Sequence, residues 1–222
     1  MVGKEIYVLT ILVGTAIFVL GFYIGGIINQ PKINEIKEQN ELLAIKIENI
    51  NLGLKLFEMT ENNNLSCNYI KTEMEELEKE RMKLVNELDK TEVFDQKKFE
   101  ITKRKYTLSL VNIWILSKEK EKFCGVKSPT ILYFYDINSE SCREQGKVLD
   151  HIVYEYNKLG KHITVLSIDK NFDEPIVKVL KESFNITKAP TLIIENKKFE
   201  SFTSEKIIEN TLCEKYQLCD FS

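Results

Sequence analysis

The feature that most constrains this chain is the distribution of its helix-breaking residues. Between Ile27 and Cys124 the sequence contains a single proline, Pro31, and a single glycine, Gly53. Turns and hairpins normally need such residues, so this long stretch is predicted to be almost entirely helical. The other prolines fall in the last part of the chain, among β-branched runs that favour strands: Pro129, Pro175 and Pro190.

This distribution divides the chain into three parts. We expect an apolar segment at residues 1–30, a helical coiled-coil or hairpin spacer at 31–122 and an α/β domain at 126–222. Hydrophobic residues make up 43% and charged residues 29%, a balance that argues against intrinsic disorder. A net charge of -3 argues against a general nucleic-acid binder, which needs a basic face. Two histidines are too few for a multi-histidine site, and neither a metal nor a cofactor is expected.

The N-terminal segment contains a long uncharged run from Ile6 to Ile28. As a helix it would be roughly 34 Å long, which matches a bilayer core of ~30 Å. A signal peptide would have a shorter apolar core and a small-residue cleavage site. The run therefore predicts a single-pass membrane anchor, with lipid as the partner of residues 6–28.

The orientation of this predicted anchor rests on two opposing signals. Lysines following the run favour a cytoplasmic C-terminal part by the positive-inside rule. Five cysteines instead suit an oxidising compartment, and the sequons at residues 64–66 and 185–187 agree with export. We expect the C-terminal domain to be extracytoplasmic.

The helical middle carries a heptad pattern with a polar residue, Asn40, at one core position. Buried asparagine fixes register in parallel dimers, so homo-oligomerisation through a coiled coil is expected. After a break at residues 61–64, a second helix starts near Ser66, and an antiparallel hairpin is the alternative to an intermolecular coil. One core position of the heptad is occupied by Ile33, Asn40, Ile47 and Leu54, and the other by Ile36, Leu43, Ile50 and Phe57. A second apolar stripe contains Leu42, Ile45, Leu52 and Leu56.

The C-terminal part changes to alternating strands and helices in the order βαβαββα. Two parallel strands followed by a hairpin are the order of a thioredoxin-like α/β fold. The predicted strands lie at 130–135, 163–168, 191–194 and 198–202, and the helices at 140–159, 175–184 and from 204 onward.

Two short motifs resemble the thioredoxin superfamily. Ser139-Glu140-Ser141-Cys142 stands where family members have Cys-x-x-Cys at a helix start, and Ala189-Pro190-Thr191 is similar to the family's cis-proline loop. With Trp114 and Cys124 ahead of the domain, the arrangement also resembles membrane-tethered archaeal thioredoxin-like proteins. The resemblance implies that Ala189–Pro190 is cis and that residues 189–191 bind an extended peptide or protein thiol partner.

The departure from the motif at Ser139 decides the chemistry that we expect. A serine has too high a pKa, and its oxygen cannot exchange with a disulfide. Cys142 is the candidate catalytic thiol, Ser139 is a degenerate first position, and Tyr133 replaces the buried acid usual in the strand. A dithiol–disulfide cycle within this motif is therefore excluded.

The other cysteines are candidates for structural bonds. Cys124, Cys213 and Cys219 are expected to contribute one disulfide, whose pairing the sequence leaves open. Cys67 is treated as free or as an interchain candidate. His151 and His162 are expected to be surface residues.

Two functions follow from these observations. The first is a membrane-anchored thioredoxin-fold protein of thiol–disulfide metabolism with a single-cysteine site, possessing oxidoreductase activity only if a partner supplies the second thiol. The alternative is a redox-inactive binding or scaffolding module that is oligomerised by its coiled coil. The reactivity of Cys142 distinguishes the two.

Overall fold

The structure is a computed structural model that divides the chain into two compact units, Met1–Glu61 and Asn62–Ser222. The residues that the structure describes are 13–21, 23, 41–42, 44–59, 63–91 and 96–219.

The first unit corrects the membrane prediction. Among the described residues, no helix combines the length and the apolar character that a bilayer crossing requires. The expectation of a single-pass membrane protein with an extracytoplasmic domain is therefore wrong. Residues 6–12, 22 and 24–28 of the expected anchor lie outside the described residues.

The heptad predicted in the middle of the chain is described from residue 44 onward, where residues 44–59 are helical. Ile50 and Phe57 are buried, and Ile47 and Leu54 are half-buried. Ile33, Ile36, Asn40 and Leu43 lie outside the described residues, so the predicted intermolecular coil stays a prediction.

Two long helices open the second unit and pack against each other: α1 (Asn63–Thr91) and α2 (Gln96–Cys124). A disulfide joins Cys67 in the second turn of α1 to Cys124, the last residue of α2, so the two helices run antiparallel. Ile70, Leu77 and Leu84 recur every seven residues along α1 and are buried. These helices therefore form an antiparallel hairpin, and its two helices are joined between Thr91 and Gln96 and not at the break predicted at residues 61–64.

A four-stranded sheet follows the hairpin, with strand order β2-β1-β3-β4. β2 is parallel to β1, whereas β3 is antiparallel to both β1 and β4. Because β1 and β3 lie inside the sheet, their side chains are buried almost throughout. The elements in chain order are β1 (Thr130–Tyr135), α3 (Glu140–Lys158), β2 (Thr164–Asp169), α4 (Pro175–Ser183), β3 (Thr191–Ile194), β4 (Lys197–Glu200) and α5 (Glu205–Tyr216).

Helix α2 is the helix of the hairpin that contacts the α/β domain. The ammonium of Lys103 lies 2.6 Å from the carboxylate of Asp169 at the end of β2. Near the middle of α2, the Trp114 ring meets that of Phe184 edge-on at 5.8 Å. These contacts fix the hairpin against one side of the domain.

The other side of the sheet is covered by α3 and α5. Leu149 and Ile152 of α3 and Ile208 and Leu212 of α5 are buried in one cluster with apolar side chains of β1 and β3. The amide of Gln145 adds two hydrogen bonds to the backbone of Thr203, at 3.2 Å to its C=O and 2.7 Å from its N–H. A buried amide satisfied in this way fixes α3 relative to the segment before α5.

The predicted order of elements is confirmed, and the bond between Ala189 and Pro190 is cis as expected. β4 ends at Glu200, two residues before the predicted end. Ser201 has φ of 70°, a left-handed conformation that a strand does not accommodate.

Candidate functional site

The site begins where β1 runs into α3. Ser139 has extended backbone angles, φ −96° and ψ 120°, and is the N-cap residue of α3. Its Oγ accepts a hydrogen bond from the backbone N–H of Cys142 at 3.3 Å. Serine is among the preferred residues for this position because its oxygen satisfies a helix N–H that has no partner within the helix. The Ser139 hydroxyl therefore has a structural role at the helix start.

The thiol of Cys142 lies in the first turn of α3 and is buried, with 4% of the residue exposed. Its Sγ accepts a hydrogen bond from the backbone N–H of Asp136 at 3.3 Å. The hydroxyl of Tyr133 donates to the Cys142 carbonyl at 2.5 Å. Among the cysteines, Cys142 alone is outside a disulfide. The thiol is thus covered and has no second thiol beside it.

An open groove of about 380 Å³ lies over this helix start. Its lining is largely aromatic and apolar, with one cation and one carboxylate at the rim. The lining residues are Tyr106, Tyr133, Tyr135, Asp136, Ile137, Cys142, Arg143 and Ser167.

The tyrosines of the groove are held in their neutral form. Burial, followed by the nearby Cys142, raises the pKa of Tyr133 well above its ordinary value. Burial, with smaller effects of Asp169 and Tyr106, raises the pKa of Tyr135 to about 12. The groove therefore presents uncharged rings and hydroxyls at neutral pH.

A polar network supports the rim of the groove at the carboxyl ends of β1 and β2. Asp136 accepts hydrogen bonds from the Asn138 N–H at 3.0 Å and from the Asn171 side chain at 2.8 Å. These two bonds, the backbone one first, hold the pKa of the Asp136 carboxyl below its ordinary value. Asn171 in turn donates its N–H to Asp169, the partner of Lys103. The turn between β1 and α3 is thus tied to β2 and, through it, to α2.

The cis-proline loop lies at the start of β3. Pro190 and Thr191 are buried, and Ala189 is half-buried. Thr191 donates its hydroxyl hydrogen to the Lys188 carbonyl at 2.9 Å, and the Pro190 carbonyl accepts from Ser201 N–H at 2.8 Å. None of these three predicted peptide-binding residues is among the residues that line the groove at Cys142.

The remaining four cysteines form two disulfides. Cys213 pairs with Cys219 across the end of α5, with Cα atoms 4.4 Å apart. Cys67 pairs with Cys124, with Cα atoms 5.1 Å apart. The expectation that Cys67 is free is therefore wrong, because the antiparallel hairpin brings the start of α1 beside the end of α2.

The two histidines lie on the surface. The His162 ring nitrogen is 3.0 Å from the side-chain oxygen of Asn157, and the His151 ring is 3.4 Å from the Glu205 carboxylate. Within the described ranges, no group of three or more histidine, cysteine or acidic residues is placed to hold a metal ion.

Sequence reasoning missed Tyr106 as a residue of the site. It belongs to α2, 24 residues before the start of β1, and reaches the groove only because the hairpin docks on the sheet. Burial raises the pKa of Tyr106, and the guanidinium of Arg81 on α1 opposes that shift. No local sequence pattern connects these segments.

The strand order, the flanking helices and the cis-proline together define a thioredoxin-like fold. Thioredoxin-2 of the malaria parasite, a component of its protein secretion machinery, is 22% identical, aligns over 39% of this chain and 82% of its own, and has a TM-score of 0.33. Thioredoxin O2 from Arabidopsis thaliana in the oxidised state is 18% identical over 40% and 76%, with a TM-score of 0.30. A structure described as a malarial protein is 19% identical over 40% and 97%, with a TM-score of 0.34.

No protein-family model matches the chain, and no curated protein is significantly similar to it in sequence. The assignment of the fold therefore rests on the strand order and the loop geometry described above.

Proposed function

We propose that this chain is a thioredoxin-fold binding module that does not run a dithiol–disulfide cycle, and that its ligand is an extended peptide segment with an apolar side chain. The observation that carries the proposal is the helix start of α3. There Ser139 caps the helix through its Oγ, and the lone Cys142 thiol is buried against the Asp136 N–H.

The chemistry of the two positions supports the absence of a redox cycle. Thiol–disulfide exchange requires an accessible thiolate that attacks sulfur and a second thiol that resolves the mixed disulfide. Ser139 supplies no sulfur, and Cys142 is covered. The other four cysteines are already paired with one another.

The groove supports the binding part of the proposal. Its wall of neutral tyrosine rings offers a large apolar surface, together with hydroxyls that can exchange hydrogen bonds with a peptide backbone. Ile137 stands at its edge with 61% of the residue exposed. An exposed isoleucine next to an aromatic groove is suited to contact an apolar side chain of a ligand.

Selection from a displayed library of random peptides tests this binding directly. The wild-type chain is expected to enrich peptides that share apolar residues at a fixed spacing. Ile137→Asp should lose that enrichment, because it places a charge at the edge of the groove. The matched control is Val179→Asp on α4, which has 53% exposure and is not among the groove residues. Equal enrichment by all three proteins, or none by the wild type, would overturn the proposal.

A second candidate is thiol–disulfide chemistry through Cys142 alone, because Cys142 is the one cysteine outside a disulfide and is among the residues that line the groove. In that reaction the Cys142 thiolate attacks the disulfide of a bound protein, forms a mixed disulfide and releases one thiolate of that protein. A low-molecular-weight thiol must then resolve the mixed disulfide.

The two candidates differ in what Cys142→Ala does. Peptide binding should survive this substitution if the groove acts without covalent chemistry. Trapping of disulfide-linked partners by the wild type, abolished in Cys142→Ala, would favour the single-cysteine reaction instead.

A further inference from the structure

The helix at residues 44–59 leaves a narrow line of apolar side chains exposed. Leu52 and Leu56 lie in the middle of this line, and the exposed fractions of its five apolar residues run from 54% for Ile45 to 82% for Met59. We call the line the outer seam. It consists of Leu42, Ile45, Asn49, Leu52, Leu56 and Met59.

The spacing of the outer seam is that of a coiled coil. Its residues follow one another at steps of three, four, three, four and three, which places Leu42, Asn49 and Leu56 at heptad position a. Ile45, Leu52 and Met59 then occupy position d. A two-residue line per heptad is the contact surface of a two-stranded coil, narrower than the broad face of a helix in a globular core.

The helix that carries the outer seam is already ordered without a partner. Ile50 and Phe57 lie at position b of the same heptad and are 1% and 5% exposed within the chain. Helix nucleation, the costly step for short coiled coils, is therefore complete before association. Ile50 and Phe57 belong to the heptad predicted from the sequence, whereas the outer seam is the second apolar stripe, which is exposed.

We propose that the outer seam pairs with the outer seam of a second copy of this chain, in a parallel, in-register, two-stranded coiled coil. In this register Asn49 faces Asn49 of the second copy at an a–a′ layer, where paired asparagines satisfy each other and favour two strands. An antiparallel arrangement of the same residues would place the amide of Asn49 against Leu52 of the second copy.

One pair of charges beside the seam agrees with this register. Glu41 occupies position g and Lys46 occupies position e of the following heptad. In a parallel pair these positions lie across the interface from each other, so each carboxylate faces an ammonium of the second copy. Because the pair is symmetric, the contact between Glu41 and Lys46 of the other copy forms twice.

Cysteine crosslinking of the full chain tests the register. Ile45→Cys, Leu52→Cys and Met59→Cys should each form a disulfide-linked dimer under mild oxidation, because equivalent d positions meet in a parallel pair. Asn51→Cys at the exposed position c is the matched control and should stay monomeric on denaturing gels. The native cysteines do not interfere, since four are paired and Cys142 is buried.

The crosslinking result can contradict the proposal in two ways. Crosslinking of Leu52→Cys no faster than that of Asn51→Cys would exclude the seam as an interface. Crosslinking of Leu52→Cys without that of Ile45→Cys and Met59→Cys would indicate antiparallel helices.

Sedimentation equilibrium of the full chain provides a second test that does not depend on crosslinking. The wild type should dimerise reversibly, and Leu52→Lys should raise the Kd at least about tenfold by placing two like charges in the seam. Asn51→Lys should leave the Kd unchanged, and far-UV circular dichroism should show both variants folded. A wild type that stays monomeric, or that forms trimers or tetramers, would overturn the two-stranded seam.

Discussion

Cys142 and the disulfide Cys213–Cys219 lie in the same domain, yet their sulfur atoms are in opposite situations. Cys142 lies in the first turn of α3 and is reduced and buried, with no second cysteine beside it. Cys213 and Cys219 lie at the end of α5, and they are oxidised and partly exposed. In this domain the paired cysteines link chain segments, whereas Cys142 at the start of α3 packs in the interior.

Among the substitutions that would remove this difference between Cys142 and the disulfide cysteines, Ser139→Cys is expected to have the largest effect. It places a second thiol at the N-cap of α3, where the helix N–H groups stabilise a thiolate. Turnover in an insulin-reduction assay should rise from none to a measurable rate. Ser141→Cys adds a thiol at the same helix start without occupying the N-cap, and it should remain inactive. Activity of the wild type in this assay would contradict the account.

Replacing each disulfide in turn shows how much each of the two bonds contributes to stability. Cys67–Cys124 closes 57 residues of sequence and Cys213–Cys219 closes 6. By loop-closure entropy, replacing the first pair with serines should lower the free energy of unfolding by about 4 kcal/mol and the second by about 2 kcal/mol. Guanidinium unfolding followed by circular dichroism measures both. A larger loss of stability for the Cys213–Cys219 pair would contradict the expectation that the Cys67–Cys124 disulfide of the hairpin is the more stabilising of the two.

A smaller effect is expected from removing the hydroxyl of Tyr133, which donates a hydrogen bond to the Cys142 carbonyl. Tyr133→Phe removes the bond to the Cys142 carbonyl and should lower the free energy of unfolding by about 1 kcal/mol. Tyr135→Phe is the matched control, since its hydroxyl makes no comparable bond to α3. If the two variants have the same stability at neutral pH, the Tyr133 bond does not hold the helix start.

The smallest effect appears at alkaline pH. The folded-state pKa of Tyr135 is raised to about 12, mainly by burial, so its contribution to stability is complete below the ordinary tyrosine pKa of about 10 and is lost as the pH rises from there. The fall in Tm between about pH 9 and about pH 10.5 should be smaller in Tyr135→Phe than in the wild type. An unchanged fall would show that Tyr135 is accessible, and would weaken the description of the groove as neutral and buried.

Much of the α/β domain follows from its sequence because the determining interactions are local. The strands Thr130–Tyr135 and Thr191–Ile194 are unbroken apolar or β-branched runs inside the sheet, and they begin and end where predicted. The cis-proline was predicted from its motif alone. β4 was predicted too long because the left-handed backbone of Ser201 is not visible in the residue type.

The errors concern contacts between distant segments. Cys67 finds Cys124 only through the antiparallel hairpin, and Tyr106 reaches the groove only because α2 docks on β2. By contrast, Ile50 and Phe57, which the sequence placed at a core position of its heptad, are buried, and Leu52 and Leu56 of the second stripe are exposed. The predicted membrane anchor rested on the apolar run alone, and among the described residues no helix long and apolar enough to span a bilayer was found.

The accessibility of the Cys142 thiol decides whether this cysteine has a structural or a reactive role. Alkylation by iodoacetamide, followed by mass spectrometry of the full chain, gives the rate for this one free cysteine in the folded and in the unfolded protein. The account predicts that the folded chain reacts at least about a hundredfold more slowly, because the thiol reacts only when the helix start opens. A folded-state rate equal to or faster than that of the unfolded chain would show a reactive thiolate, and would contradict the account.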